Sequence, residues 1–197
     1  MKKKWPYFVA LILMIPFILI PWPAADLFLR IHLDETEGIN PNDFYLYYGT
    51  TEAGFSSEQL IQGTYDAQTG IITYRLSASL EGKLTDLRVD FPSVEQLLKI
   101  KSVTVSSGGL AKKAYNPCYF FADANLADVH GIEAVNVVPT RAVAYVSTHT
   151  DDPYIVLSGA LSKEVANHFS HYLITRILLC AFACACVFSA KRKLFKE

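Results

Sequence analysis

The chain has 197 residues, of which 51% are hydrophobic, and its 18 basic and 19 acidic side chains give a net charge of −1. That total is unevenly distributed, because residues 1–25 carry +3, residues 191–197 carry +3 and residues 30–165 carry −7. Two basic ends around an acidic middle are not typical of a soluble enzyme, and the acidic middle argues against nucleic acid as a partner.

The first predicted element is a membrane anchor over residues 1–25. Residues 5–25 contain no charged side chain over 21 positions, and a helix needs about 20 residues to cross the hydrocarbon core. Pro16 is tolerated as a kink inside a membrane helix. A cleaved signal peptide is the alternative, but the apolar run is long for one, and cleavage after Ala25 would put a proline at the −3 position. We therefore predict an uncleaved anchor.

Residues 26–160 are predicted to form a mainly β domain. Apolar and polar residues alternate there with a period of two, which is typical of strands that bury one face. This alternation occurs at residues 27–33, 44–48, 72–76, 87–91, 103–105 and 143–145. Turn residues separate the runs, and their spacing gives eight or nine strands. That number suits an antiparallel two-sheet sandwich of jelly-roll type.

Helical structure is predicted in four places. Three are short turns, near residues 57–62, 93–98 and 125–129, and the fourth is a helix from Leu161 onward. Ser162 is a candidate N-cap of that helix, with Glu164 in its first turn. We expect the helix to cover residues 161–190 and to continue without a linker into a second membrane span.

The second span, at about residues 172–190, is a weaker apolar run because Arg176 interrupts it. Arg176 would lie about one turn from the outer boundary, where a long side chain can reach the interface. Residues 191–197 form a basic tail. Since Lys and Arg are enriched on cytoplasmic flanks, two spans with two basic ends place both termini in the cytoplasm. We therefore expect a plasma-membrane protein whose residues from about 26 to 167 are extracytoplasmic.

Five segments of the central domain resemble a known type of domain. Their sequences are LYYGTTEAGFSSEQ (46–59), GIITYRL (70–76), LTDLRVDFP (84–92), IKSVTV (100–105) and DDPYIVL (151–157). The pattern resembles the extracytoplasmic β-sandwich of bacterial membrane proteins of surface-polysaccharide assembly, including glycosyltransferase-like proteins. The resemblance implies a shape like that of a carbohydrate-binding module, and it carries over no site residues. In such relatives a many-span catalytic body accompanies the sandwich, so the resemblance implies a separate multispan partner.

Catalytic and metal motifs are weak in this sequence. It contains no nucleophile elbow, zinc-protease motif, dinucleotide fingerprint or P-loop. Asp86, Asp90 and Glu81 could serve a glycoside hydrolase, but solvated strand residues explain them better. Metal ligation by residues 149–152, or by the three cysteines at 180–186, is less favoured than a turn and small-residue helix packing. We predict no cofactor, no metal and no enzymatic activity.

A binding surface is better supported by the sequence. Tyr45, Tyr47, Arg75, Arg88 and Asp90 are predicted to face away from the core, where aromatic rings and polar groups together suit a sugar. The alternative is structural, with the tyrosines as cross-strand packing partners and Arg88 as an ion-pair partner of Asp90 or Asp86. A second aromatic cluster, Tyr115, Tyr119, Phe120 and Phe121 around Cys118, is expected to bury a loop.

The second membrane segment could itself make contact with a protein. Its small residues, among them Ala181 and Ala185, would allow close approach of another helix, and Arg176 would need an acidic partner if it lay away from the interface.

The resulting hypothesis is a two-span membrane protein, surrounded by membrane lipid, whose external sandwich binds or positions envelope glycan or a partner. It would be accessory to a multispan glycosyltransferase-like enzyme. The alternative is a structural or regulatory subunit of a membrane complex without glycan binding.

Overall fold

Two antiparallel β-sheets make up most of the computed structural model, which describes residues 24–34, 40, 43–108, 111–149, 151–169 and 181. The seven-stranded sheet contains β1 (Leu27–Leu33), β4 (Thr64–Asp66), β5 (Ile71–Leu76), β7 (Gln96–Ser107), β8 (Ala111–Tyr115), β10 (Ile132–Val138) and β11 (Val143–Thr148). The five-stranded sheet contains β2 (Tyr45–Thr50), β3 (Leu60–Gln62), β6 (Leu84–Asp90), β9 (Leu126–His130) and β12 (Tyr154–Leu157). A mainly β fold is thereby confirmed, and the two sheets are consistent with a sandwich.

The order of the strands fixes which side chains are neighbours. In the larger sheet it is β10-β11-β7-β1-β5-β4, with β8 also paired to β7, and in the smaller sheet it is β3-β2-β6-β12-β9. The chain changes sheet several times, so most strand neighbours are distant in sequence.

The core lies between the sheets and follows from the alternation in the sequence. In β1 the residues Leu27, Leu29, Ile31 and Leu33 are at most 2% exposed, while the residues between them face solvent. Leu87 and Val89 of β6 and Ile155 of β12 form the opposite wall and are also fully buried. Burying one face of each strand is the main driving force for such a fold, and the predicted alternation is confirmed.

Two glycines stand where the chain passes from the smaller sheet to the larger one. Gly63 joins β3 to β4, and a Cβ atom there would lie 2.8 Å from Ile72 Cγ2 and 2.9 Å from Tyr74 Cε1. Gly131 joins β9 to β10 with φ +59°, and a Cβ atom there would lie 2.2 Å from the carbonyl oxygen of Asp151. Both crossings therefore depend on the absence of a side chain.

The predicted helical turns were largely wrong. Residues 57–58 form a turn, but β3 occupies Leu60–Gln62, and β7 begins at Gln96 within the second predicted turn. In the third, a 3-10 turn ends at Asn125 and β9 follows directly. The described residues hold twelve strands rather than eight or nine, because short or exposed strands such as β3, β4 and β9 lack a clear apolar alternation.

Two α-helices consist entirely of described residues, α1 (Pro117–Phe120) and α2 (Gly159–Ala166). The side chain of Ser158 accepts a hydrogen bond from the Leu161 amide, so Ser158 is the N-cap of α2 and the predicted cap, Ser162, is wrong. Ser162 lies inside the helix and is buried. Ser162 is therefore a polar residue on the inward face of α2, and the helix begins three residues before it.

The chain enters the β domain at the end where β6 begins. The Ser107 hydroxyl donates to the Ala25 carbonyl oxygen at 3.0 Å, and the Ala78 amide, shortly before β6, donates to Asp26 Oδ1 at 2.9 Å. From Leu84 to Asp90 the strand rises about 20 Å. Asp90 therefore lies at the opposite end of the domain from the entering chain.

No helix made up of described residues is long and apolar enough to cross a bilayer. Both predicted spans, residues 5–25 and 172–190, lie almost entirely outside the described part of the chain, as do Arg176 and Ala185. Ala181 is described, and it is helical and exposed.

An ion-pair cluster at the end of β1 should make stability sensitive to acid. Asp34 contacts Lys101 and Lys99 of β7, and hydrogen bonds from these two lysines lower the pKa of Asp34. Its stabilising effect is thus present above the unfolded-state pKa of about 3.9 and is lost as the pH falls through the lower folded-state pKa. We expect the urea midpoint of Asp34→Asn to be lower than that of the wild type at pH 7, and we expect the difference to shrink as the pH falls below about 3.9. A difference that persisted at low pH would contradict this assignment, and Glu58→Gln is an exposed control.

Candidate binding face

The solvent side of the five-stranded sheet carries four of the five predicted site residues. Tyr45 and Tyr47 project from β2 because Leu46, between them, is buried in the core. Arg88 and Asp90 project from β6 on the same side, opposite Tyr47 and Tyr45 respectively in the strand register. The register thus brings the four residues into one surface patch.

Arg88 is the centre of this patch. Its Nε and Nη2 atoms each donate to an Asp90 carboxylate oxygen at 2.7 Å, and Nη2 also lies 3.4 Å from Asp152 Oδ2. The guanidinium carbon lies 5.0 Å from the ring centroid of Tyr47 and 3.7 Å from that of Tyr154. Both distances are within the range of a cation–π contact, so the guanidinium is held between two aromatic rings.

The stack continues onto the edge strand. His130 of β9 lies against Tyr154, with ring centroids 5.2 Å apart and planes tilted by 24°. The Tyr154 hydroxyl donates to Asp128 Oδ2 at 3.2 Å. Rings and guanidinium therefore form one continuous row, Tyr47–Arg88–Tyr154–His130, across β2, β6, β12 and β9. We refer to this row, together with Tyr45, Asp90, Asp128 and Asp152, as the aromatic face.

Arg75 is not part of the aromatic face. It lies on β5 of the other sheet, where its Nη2 atom is 2.5 Å from Asp26 Oδ2 and its side chain is 70% exposed. The sequence placed Arg75 correctly on the outer side of its strand, but it did not indicate to which sheet that strand belongs.

Sequence reasoning missed Tyr154, His130, Asp128 and Asp152. The alternation of Tyr154 and Val156 with the buried Ile155 and Leu157 was a usable signal for β12. No comparable signal marks β9, because four of its five residues are exposed.

The charges of the aromatic face are unusual for a solvent-facing patch. Asp90 is only 6% exposed, and burial raises the pKa of its carboxyl group. The ion pair with Arg88 acts in the opposite direction without cancelling that effect. Asp128 and Asp152 add two exposed carboxylates, so the face is acidic around one enclosed cation.

The rings of the aromatic face differ in how much of their surface is open to a ligand. Both faces of the Tyr154 ring are covered by Arg88 and His130, whereas Tyr45 and Tyr47 are half-buried rings on the solvent side. Asp86 and Asp90 are four residues apart on β6, or about 13 Å along the strand, which is wider than a glycosidase carboxylate pair. Among the described residues, no three His, Cys, Asp or Glu side chains form a metal-binding group.

The second predicted cluster, around Cys118, is mainly structural. Phe120 and Phe121 are fully buried and pack edge to face at 5.2 Å, which agrees with the expected role of burying a loop. Tyr115 is also buried, while Tyr119 is 49% exposed and its hydroxyl donates to Glu164 Oε2 at 3.1 Å.

Comparisons with protein-family models, with curated proteins and with solved structures find no match to this chain.

Proposed function

We propose that this chain is a non-enzymatic, two-span membrane protein whose external β-sandwich, of jelly-roll type, binds or positions envelope glycan through the aromatic face. Both termini would lie in the cytoplasm, and residues from about 26 to 167 would lie outside a bacterial plasma membrane. The protein would act beside a multispan, glycosyltransferase-like enzyme of polysaccharide assembly, as the resemblance of its strand motifs to such proteins suggests.

The observation that best supports this proposal is the aromatic face itself. Pyranose rings bind to proteins by stacking their C–H faces on aromatic rings, with polar groups at the ring edges. Tyr45 and Tyr47 offer aromatic surface on the solvent side. Asp152, which contacts Arg88, and Asp128, at the other end of the row, are acceptors for sugar hydroxyls. The stacked Arg88 restricts the motion of Tyr47, and such preorganisation reduces the entropy lost on binding.

The position of the face within the domain also supports it. Asp90 and Tyr154, which are paired in the register, lie at the end of the sandwich opposite the entering chain. An external domain that presents ligand to a neighbour would need its binding residues away from its point of attachment.

Replacing Tyr47 with alanine should weaken glycan binding by about two- to twelvefold, since one aromatic contact contributes about 0.5–1.5 kcal/mol. The measurement is retention of extracted envelope polysaccharide by the immobilised full-length chain. Tyr145→Ala is the matched control, because Tyr145 is a half-buried, outward-facing tyrosine of β11 on the other sheet. Equal loss in both variants, or no retention by the wild type, would contradict the proposal.

A second function, that of a structural or regulatory subunit without glycan binding, is favoured by one observation. Arg88 is fully engaged by Asp90 and two rings, so most of the aromatic face could serve packing alone. Crosslinking in membranes that recovered a partner protein, with no retained polysaccharide, would favour this second function.

A further inference from the structure

The basic side chains of the domain collect on the outer side of the seven-stranded sheet. Between residues 24 and 169 the chain has ten Lys and Arg residues. Six of them lie on the adjacent strands β5, β1, β7 and β8, and five of these six face the outer side of the sheet. They are Arg75, Arg30, Lys99, Lys101 and Lys112, and each is half-buried or exposed. This clustering is notable because the domain as a whole is acidic. We call the outer side of these four strands the basic face.

The strand register brings the cations into neighbouring rows. Arg75, Phe28, Ser106 and Lys112 are paired across β5, β1, β7 and β8, and Thr73, Arg30 and Thr104 form the next row. Strands lie about 4.8 Å apart, and rows on one side of a sheet are about 7 Å apart. Arg30 is thus diagonally adjacent to Arg75, whereas Lys112 lies two strands away from Arg30, on the far side of Ser106.

The carboxylates nearby do not neutralise this face. Asp26 pairs with Arg75, and Asp34 is shared between Lys99 and Lys101. Arg30 and Lys112 form no ion pair with any described carboxylate. The five cations and these two carboxylates leave a charge of +3. On the aromatic face the three carboxylates of Asp90, Asp128 and Asp152 outnumber the single cation of Arg88, so the aromatic face and the basic face have opposite charge.

The remaining groups of the basic face are mostly hydroxyls. Thr73, Ser102, Thr104 and Ser106 are half-buried beside the cations, and Ser106 Oγ accepts from Arg30 Nη1 at 2.6 Å. Phe28 is the central aromatic ring, and the Arg30 guanidinium carbon lies 5.1 Å from its centroid. The centre of a protein–protein interface is usually apolar and depleted in charge, which this surface is not.

We propose that the basic face binds an acidic glycan, that is, a polysaccharide with carboxylate or phosphate groups. Arg30 and Lys112 bind the anionic groups, and the hydroxyl rows bind the sugar hydroxyls. This surface is separate from the aromatic face, and the proposal does not depend on ligand binding there.

The test measures the affinity of the full-length chain in phosphatidylcholine nanodiscs for polygalacturonate, with dextran as the uncharged comparison. We expect binding of polygalacturonate alone. The double substitution Arg30→Gln and Lys112→Gln should reduce the affinity roughly tenfold and flatten its dependence on salt, since two exposed ionic contacts are lost. The charge-preserving pair Arg30→Lys and Lys112→Arg should retain most of the affinity.

The matched control is the double substitution Lys83→Gln and Lys163→Gln, which removes two exposed cations from outside the basic face. An equal loss of affinity in this control would show a nonspecific charge effect and overturn the proposal.

Other occupants of the basic face would give different results. If polygalacturonate binding were lost in phosphatidylglycerol nanodiscs, the occupant would be lipid. If the wild type self-associated and the Arg30→Gln, Lys112→Gln double variant did not, the occupant of the basic face would be a second copy of this chain. Tyr47→Ala should bind polygalacturonate normally, so this proposal and that for the aromatic face can fail separately.

Discussion

Gly131→Ala is expected to destabilise the domain by at least about 3 kcal/mol, a large part of the 5–15 kcal/mol typical of a folded protein. The new Cβ atom would lie 2.2 Å from the Asp151 carbonyl oxygen and 2.9 Å from Pro153 Cα. Both are backbone atoms, so a rotamer change cannot relieve the clash. The φ angle of +59° adds a conformational cost for any residue with a side chain.

Two other glycines separate these contributions. Gly54 has an ordinary φ and nothing within 4 Å of its Cβ position, so Gly54→Ala should change stability by less than about 0.5 kcal/mol. Gly82 has φ +70° in open space, so Gly82→Ala should cost about 1 kcal/mol. Urea denaturation of the full-length chain, followed by pulse proteolysis, would measure all three. If Gly131→Ala were as stable as Gly82→Ala, the prediction would be wrong, and the backbone at the β9–β10 crossing could move to accommodate a side chain.

The parts of the fold that the sequence predicted are those in which burial imposes a pattern. β1 buries every second residue, and β6 buries Leu87 and Val89 on either side of Arg88, so the polar and apolar positions of these segments could be assigned by inspection. β3, β4 and β9 have no such constraint, because they are short, lie at sheet edges and expose most of their residues. Edge strands are held by backbone hydrogen bonds to one neighbour, which any sequence can provide.

The residues of the candidate site could be predicted only where burial showed which side of a strand faces the core. Tyr45, Tyr47, Arg88 and Asp90 could be grouped because β2 and β6 each showed which residues face outward. Arg75 could not be excluded, since membership of a sheet depends on pairing between strands far apart in sequence. The separation of charge between the two faces was hidden for the same reason. The sequence shows only the net charge of the domain, whereas the order β5-β1-β7-β8 gathers the cations on one side.

Arg88→Ala should have the second large effect, a loss of about 2–4 kcal/mol at pH 7. The substitution removes a two-pronged ion pair and the guanidinium between Tyr47 and Tyr154, and it leaves the Asp90 carboxylate, whose side chain is 8% exposed, without its cation. Removing one member of a buried pair is costly because the remaining charge is desolvated. Arg75→Ala is the matched control. It breaks an Arg–Asp pair whose arginine is 70% exposed, and it should cost less than about 1 kcal/mol.

The pH dependence distinguishes this cause from a simple loss of packing. Burial already raises the pKa of Asp90, and without Arg88 the opposing effect is gone, so that pKa rises further in the variant. A carboxyl group whose folded-state pKa lies above its unfolded value destabilises the fold when ionised, and protonation removes that cost. The stability difference between wild type and Arg88→Ala should therefore be largest at neutral pH and shrink as the pH falls through the raised pKa of Asp90. Adding Asp90→Asn to Arg88→Ala should remove this dependence. A difference that stayed constant with pH would assign the effect of Arg88 to its stacking between the tyrosines.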